Sequence, residues 1–334
     1  MDADLLTIRP VRARLDVSTR CQLRCLLCPT AENDGRAFLG SGDMTHGDFV
    51  RFLDANPGIR AVELASAGES LLNPELPAML ESAADRGVAT SLAGGVNLND
   101  ASDEVLEALV RCGTRRVRIS IDGTTEKSYR QYRVGGSLRQ VLANVSRLNA
   151  LKKKYRSTLP ELVLQFILFG HNEQELEKVQ VLARMLDMTL FVKMNRSTEH
   201  LQVRDRERIR NLLGYADRRE FREATGTIYC RDLCLGLWRA PQVNWDGRLL
   251  GCACNKHSAY ADRVLGEQFE AEVNNERVRY ARSMLMGQAP PREDIPCSRC
   301  AWFAQMTEHS LWITTAEVRA AVSNPLAEVG EESG

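Results

Sequence analysis

The amino-acid sequence predicts an α/β protein: a partial (β/α)6 barrel, similar to an incomplete TIM barrel, followed by a smaller region of β-hairpin and helix. Strand-like and helix-like patterns alternate six times between about residues 11 and 196, an order that calls for parallel strands joined by right-handed crossovers. Six units are too few to close an eight-stranded barrel. Beyond that point the alternation stops, and Asp246-Gly247 between two apolar runs marks a hairpin.

Each unit has its own signal. Val11, Ala13, Leu15 and Val17 alternate with Arg12, Arg14 and Asp16, the two-residue period of a strand. Caps and apolar spacing place helices over 47–55, 74–86, 102–111, 137–155 and 172–186, with strands over 61–66, 89–93, 116–122, 162–169 and 190–194. Asn73-Pro74 reads as an N-cap followed by a first-turn proline, and Gly87 as the stop. Lys152, Lys153 and Lys154 fall at the end of the fourth helix, where they complement its dipole. A charged helix over 204–225 connects to strands over 241–245 and 248–253 and a helix over 275–286. The resulting domains are a barrel over 1–200, a helical linker over 201–228, a second domain over 229–312, and a C-terminal helix with a frayed tail over 313–334.

Forty-four basic residues balance forty-four acidic ones, leaving no global field for nucleic acid or an anionic membrane. The acidic start, Met1 to Asp4, does not read as a signal sequence, and no apolar run approaches a membrane span, so a cytoplasmic protein is expected. Ten cysteines in such a chain point to metal ligation rather than disulfides.

The cysteines form two groups. Cys21-x3-Cys25-x2-Cys28 follows the first strand, at the C-terminal strand ends where parallel barrels keep their chemistry. Three thiolates satisfy three corners of a cubane iron-sulfur cluster and leave one iron open to a small molecule; a zinc knuckle short of one ligand is the alternative. Cys234-x17-Cys252-x44-Cys297-x2-Cys300 offers four ligands and no open corner, as either a second cluster or a zinc ribbon.

The triplet resembles the signature of radical S-adenosylmethionine (radical SAM) enzymes, and further segments over the first 200 residues follow that family's order. The resemblance implies that AdoMet binds the open iron of a [4Fe-4S] cluster on Cys21, Cys25 and Cys28, beside Leu27, and is cleaved to a 5′-deoxyadenosyl radical. Ala67-Gly68-Glu69 is similar to the family's Gly-Gly-Glu motif, implying that Glu69 accepts from the AdoMet amino group. Ala93-Gly94-Gly95 stands where relatives carry Thr-Asn-Gly. Ser120 and Asp122 resemble ribose and methionine contacts, and Arg133 a carboxylate-binding arginine. The four later cysteines, with Gly247 in the hairpin, resemble the twitch domain, a shortened SPASM extension with an auxiliary [4Fe-4S] cluster, as in family members that modify carbohydrates and aminocyclitols. This implies hydrogen abstraction from a carbinol carbon of a sugar, aminocyclitol or sugar nucleoside in antibiotic biosynthesis, with flavodoxin or ferredoxin as reductant. The first strand begins near Val11, which favours small substrates over peptides.

Three cysteines remain. Cys112 reads as a buried small side chain and Cys230 as an alternative ligand beside Cys234. Cys254, one residue beyond Cys252-Ala253, is either a bystander or the donor that returns hydrogen to the substrate carbon, making the chain an epimerase. Without such a donor the same chemistry yields a dehydrogenase or a decarboxylase, and without AdoMet cleavage an iron-sulfur or zinc binding protein. Arg239, Asn244, Trp245, Lys256 and His257 flank the hairpin as candidate substrate contacts.

Overall fold

The computed structural model describes residues 5–31, 33–196, 201–266 and 268–323. The expectations for Met1 to Asp4 and for the end of the tail lie outside them. Six parallel strands follow in sequence order: β1 (Arg12–Leu15), β2 (Ala61–Glu63), β3 (Ala89–Val96), β4 (Arg116–Ser120), β5 (Glu161–Leu168) and β6 (Thr189–Met194). The helices His46–Ala55, Leu76–Asp85, Asp103–Arg111, Leu138–Tyr155 and Leu176–Met185 alternate with them. Phe49, Phe52, Leu106, Leu109, Val141 and Val145 from these helices join Ala13, Leu15 and Val62 of the strands in one core. This is the α/β partial barrel expected.

The alternating pattern of β1 has a different meaning from a half-wet strand. All four of its residues are buried. Ala13 and Leu15 enter the helix-facing core, while Arg12 lies 4.0 Å from Glu63 of β2 and donates to Ser91 of β3. The barrel lumen is therefore lined by buried polar groups, and a buried charge there must be paired or hydrogen-bonded. Glu63 meets that demand: its carboxylate accepts from the Ala65, Ala93 and Gly94 amides and the Ser91 hydroxyl.

Three local expectations are corrected. The connector is two helices, Arg206–Leu213 and Arg218–Thr225, because Gly214 ends the first at φ +85° and the Asp217 carboxylate caps the second. The helix after Asn73-Pro74 starts at Leu76, and the Asn73 side chain instead bonds the Val17 and Met44 carbonyls and the Glu75 amide. The hairpin strands are short, β7 (Gln242–Val243) and β8 (Leu249–Gly251). Their loop holds Gly247 at φ +93°, and Asn244 pairs with Arg248 around three residues rather than two. β7 runs parallel to β1 and β8 antiparallel to β7, so the sheet has eight strands in the order β6-β5-β4-β3-β2-β1-β7-β8. No helix among the described residues is long and apolar enough to cross a membrane.

Candidate active site

A cavity of about 310 Å³ opens at the C-terminal ends of the strands, within the size range of small-molecule sites. Cys21, Cys25 and Cys28 line it together with Leu27, Ala67, Gly68, Glu69, Ser120 and Arg133. All ten cysteines are free thiols. The Asn97 side-chain Nδ2 donates to the Cys21 sulfur at 3.8 Å, Arg133 reaches Cys25 at 3.6 Å, and Cys28 lies 3.0 Å from the Thr30 hydroxyl. Burial pushes the Cys21 thiol up to about 12 and raises Cys25 as well, so a bound cation is needed to make them thiolates at neutral pH.

The loop after β2 is shaped by close backbone approach. Gly68 sits at φ +70°, and a Cβ there would meet the Ser18 carbonyl oxygen at 2.5 Å. A Cβ on Gly94 would meet the Ala65 carbonyl oxygen at 1.7 Å, so the end of β3 packs backbone to backbone on the loop after β2. Between them the Glu69 carboxylate, 3% exposed, accepts from the Asn97 amide at 2.6 Å and the Leu71 amide at 3.3 Å. Burial raises it to about 7, against the pull of those amides. Asp16, raised by burial to about 6, accepts from the Ala67 amide and the Gln242 side chain beneath the same loop.

Asp122 is placed differently from Ser120. It is fully buried and does not line the cavity; its carboxylate accepts from the Ile167 amide and is paired with Arg133. It orients Arg133 rather than facing a ligand. Asn97, Gln165, Ile167 and Phe169 also line the cavity, as does Tyr132, which packs on Phe169 with ring centroids 4.5 Å apart. The linear motifs did not single out these β3 and β5 residues. The one available signal was that a strand end in a parallel barrel faces the site.

The second cysteine group surrounds a smaller cavity lined by Cys234, Cys252, Cys254, Cys297 and Cys300 with Tyr260, Leu237 and Phe303. Burial and mutual repulsion raise Cys234 well above its ordinary value and put Cys252 and Cys254 at about 12 and Cys297 at about 11. Cys230, the alternative ligand beside Cys234, lines the large cavity and is not among the residues lining this one. Cys112 is half-buried at the C-cap of Asp103–Arg111. Of the hairpin candidates, Lys256 lines the large cavity. Trp245 and Asn244 are spent on the Leu39 carbonyl, His257 is exposed, and Arg239 does not reach the wall.

Residues 15–183, about half of the chain, match the Radical SAM superfamily. The chain belongs to the radical SAM superfamily, whose members use AdoMet and a [4Fe-4S] cluster, and the donor set of the large cavity fits both. It is 27% identical over 143 residues to a probable GTP 3′,8-cyclase of Methanococcus maripaludis, covering 42% of this chain and 46% of that one. It is 25% identical over 142 residues to an AdoMet-dependent heme synthase of Methanosarcina barkeri, covering 42% and 39%. The chain thus spans about half or less of these relatives' lengths. In structure it resembles SuiB of Streptococcus suis, with TM-score 0.65 at 11% identity over 88% of this chain and 71% of that one. It also resembles anSMEcpe with bound AdoMet, with TM-score 0.56 at 15% identity over 88% of each. At such identities the likeness is one of fold.

Proposed function

We propose that the chain is a radical SAM epimerase that inverts a carbinol carbon of a sugar, aminocyclitol or sugar nucleoside in natural-product biosynthesis. When bound, AdoMet and its reduced cluster supply a hydrogen-abstracting 5′-deoxyadenosyl radical. Cys21, Cys25 and Cys28 hold that cluster, Glu69 accepts from the AdoMet ammonium, and Arg133, oriented by Asp122, binds the carboxylate. Cys234, Cys252, Cys297 and Cys300 hold a second [4Fe-4S] cluster in a twitch-like domain.

The observation that carries the epimerase reading is the position of Cys254. Of the five cysteines around the smaller cavity it alone also lines the large one, where Trp302 stands on the same wall. Four thiolates complete a cubane, so the fifth is free to act. Its S–H, weaker than most C–H bonds, gives a hydrogen atom to the substrate radical and leaves a thiyl. One electron and one proton, from a reductant of the flavodoxin or ferredoxin class, restore the thiol. In deuterated water the wild type should place one deuterium at the inverted carbon. Cys254→Ala should keep its iron and form 5′-deoxyadenosine without inverted product. An unlabelled ketone would make the enzyme a dehydrogenase, and full inversion by Cys254→Ala would remove the donor role.

A further inference from the structure

The walls of the large cavity are strongly cationic. Among the described residues seven basic side chains line it and only two carboxylates, Glu69 and Asp232. Arg133 is answered by Asp122. Of the others, Arg14 shares the field of the buried Asp16 carboxylate, while Arg118, Lys193, Arg196, Arg218 and Lys256 complete the basic wall. The resident cofactors add no net charge against it. An oxidised cubane on three thiolates carries one net negative charge and AdoMet one net positive charge, so the two cancel.

Two of these arginines hold donors that meet no acceptor among the described residues. Arg14, on β1, is 9% exposed and its buried Nε has no hydrogen-bond acceptor. Arg218 gives Nε and Nη2 to the Met194 carbonyl and lies over the Tyr229 and Trp302 rings, yet its buried Nη1 also lacks an acceptor. Native chains satisfy buried N–H groups almost without exception, and orphaned ones call for a ligand or water. Arg118 stacks 4.4 Å from the Phe191 ring, which shares the wall with Lys193. Guanidinium groups held flat and desolvated are suited to oxyanions.

We propose that the substrate carries a phosphate group, bound by Arg14 and Arg218 with Lys193. The proposal rests on the reading that this cavity takes a carbohydrate, and narrows it: a phosphorylated sugar or sugar nucleotide fits, whereas an aminocyclitol would bring ammonium groups against like charge. Two arginines and a lysine exceed what one carboxylate needs and match a phosphate dianion.

The test is calorimetric titration of the full-length, anaerobically reconstituted protein, saturated with AdoMet, using inorganic phosphate, glucose 6-phosphate, glucose, glucosamine and glucuronate. Inorganic phosphate should bind. Glucose 6-phosphate should bind about tenfold or more tighter than glucose, with glucosamine weakest, and the advantage should shrink as salt is raised. Arg14→Gln and Arg218→Gln should each erase about tenfold of it, Arg14→Lys should restore part, and AdoMet affinity should stay unchanged. Lys193→Gln, at a half-exposed position, gives the same readout if a buried variant fails to fold. Absence of phosphate binding, glucuronate equal to glucose 6-phosphate, a preference for glucosamine, or phosphate binding indifferent to all three sites would overturn the proposal. An unlabelled product in deuterated water would remove the epimerase reading while leaving these affinities as predicted.

Discussion

Glu69 is buried between two backbone amides that favour its ionised form and a desolvated site that opposes it, and desolvation wins, at about 7. An ammonium binds the carboxylate and not the acid. The sign follows: below about pH 7 a proton competes with the ligand, so AdoMet affinity should fall as pH falls, approaching about tenfold per unit once the acid dominates. Titrating AdoMet between roughly pH 5.5 and 7.5 measures this, and Glu69→Gln should flatten the profile and weaken binding about tenfold or more. A profile unchanged in Glu69→Gln would move the ammonium site elsewhere. Glu69 was legible in the sequence because a short local motif carries it. Arg14 was visible as part of a strand but not as a wall residue, since the polar face of an alternating strand reads as solvent-facing until the barrel closes over it. Asn97 and Gln165 carried no motif; only the meeting of the β3 and β5 ends brings them to the cavity.

The first cysteine group sits on the loop after β1; the second gathers Cys234 from a turn before β7, Cys252 just after β8, and Cys297 and Cys300 from a turn beyond the helix Glu276–Leu285, and the two line separate cavities. Their losses should therefore be independent. Cys21→Ala should remove about four irons per chain and abolish AdoMet cleavage, and Cys234→Ala should remove the other roughly four while AdoMet still binds. Iron and sulfide counts on reconstituted protein decide it; zinc in either site would defeat the cluster reading there. The βα order and most helices were legible from capping and periodicity, as Ser102 and Ser137 show by capping where expected. The divided connector was written in Gly214 and Asp217, a stop and a start only three residues apart, but uninterrupted charge over 204–225 masked them. The helices Asn33–Leu39 and Glu126–Tyr132, each two turns long, are too short to display a period.

The end of the charged connector reads as a domain boundary at about residue 229, yet the hydrogen bonding runs across it. β7 pairs with β1, so the strand that delivers Cys21 has a C-terminal segment as its neighbour. The Trp238 indole donates to the Leu5 carbonyl, and the Asn274 side chain bonds both backbone groups of Ile8. Arg282, fully buried, donates to the carbonyls of Leu6 and Leu237 and to Asn274, which ties the start of the chain to both sides of the C-terminal region. Burial pulls this arginine down to about 9, and among the described residues no carboxylate pairs with it, so its placement depends on those acceptors being held in position. Sequence periodicity cannot show such a union, because strand pairing is decided by contacts more than 200 residues apart. A fragment ending at residue 228 would leave the β1 edge unpaired and uncover the apolar face that Leu237 and Val243 bury, an aggregation-prone combination. Expressed alone, it should be insoluble or oligomeric by size-exclusion chromatography and fail to bind AdoMet after reconstitution, whereas full-length Cys234→Ala keeps both properties. A monomeric 1–228 fragment with a cooperative unfolding transition and full AdoMet affinity would show that the barrel stands without β7.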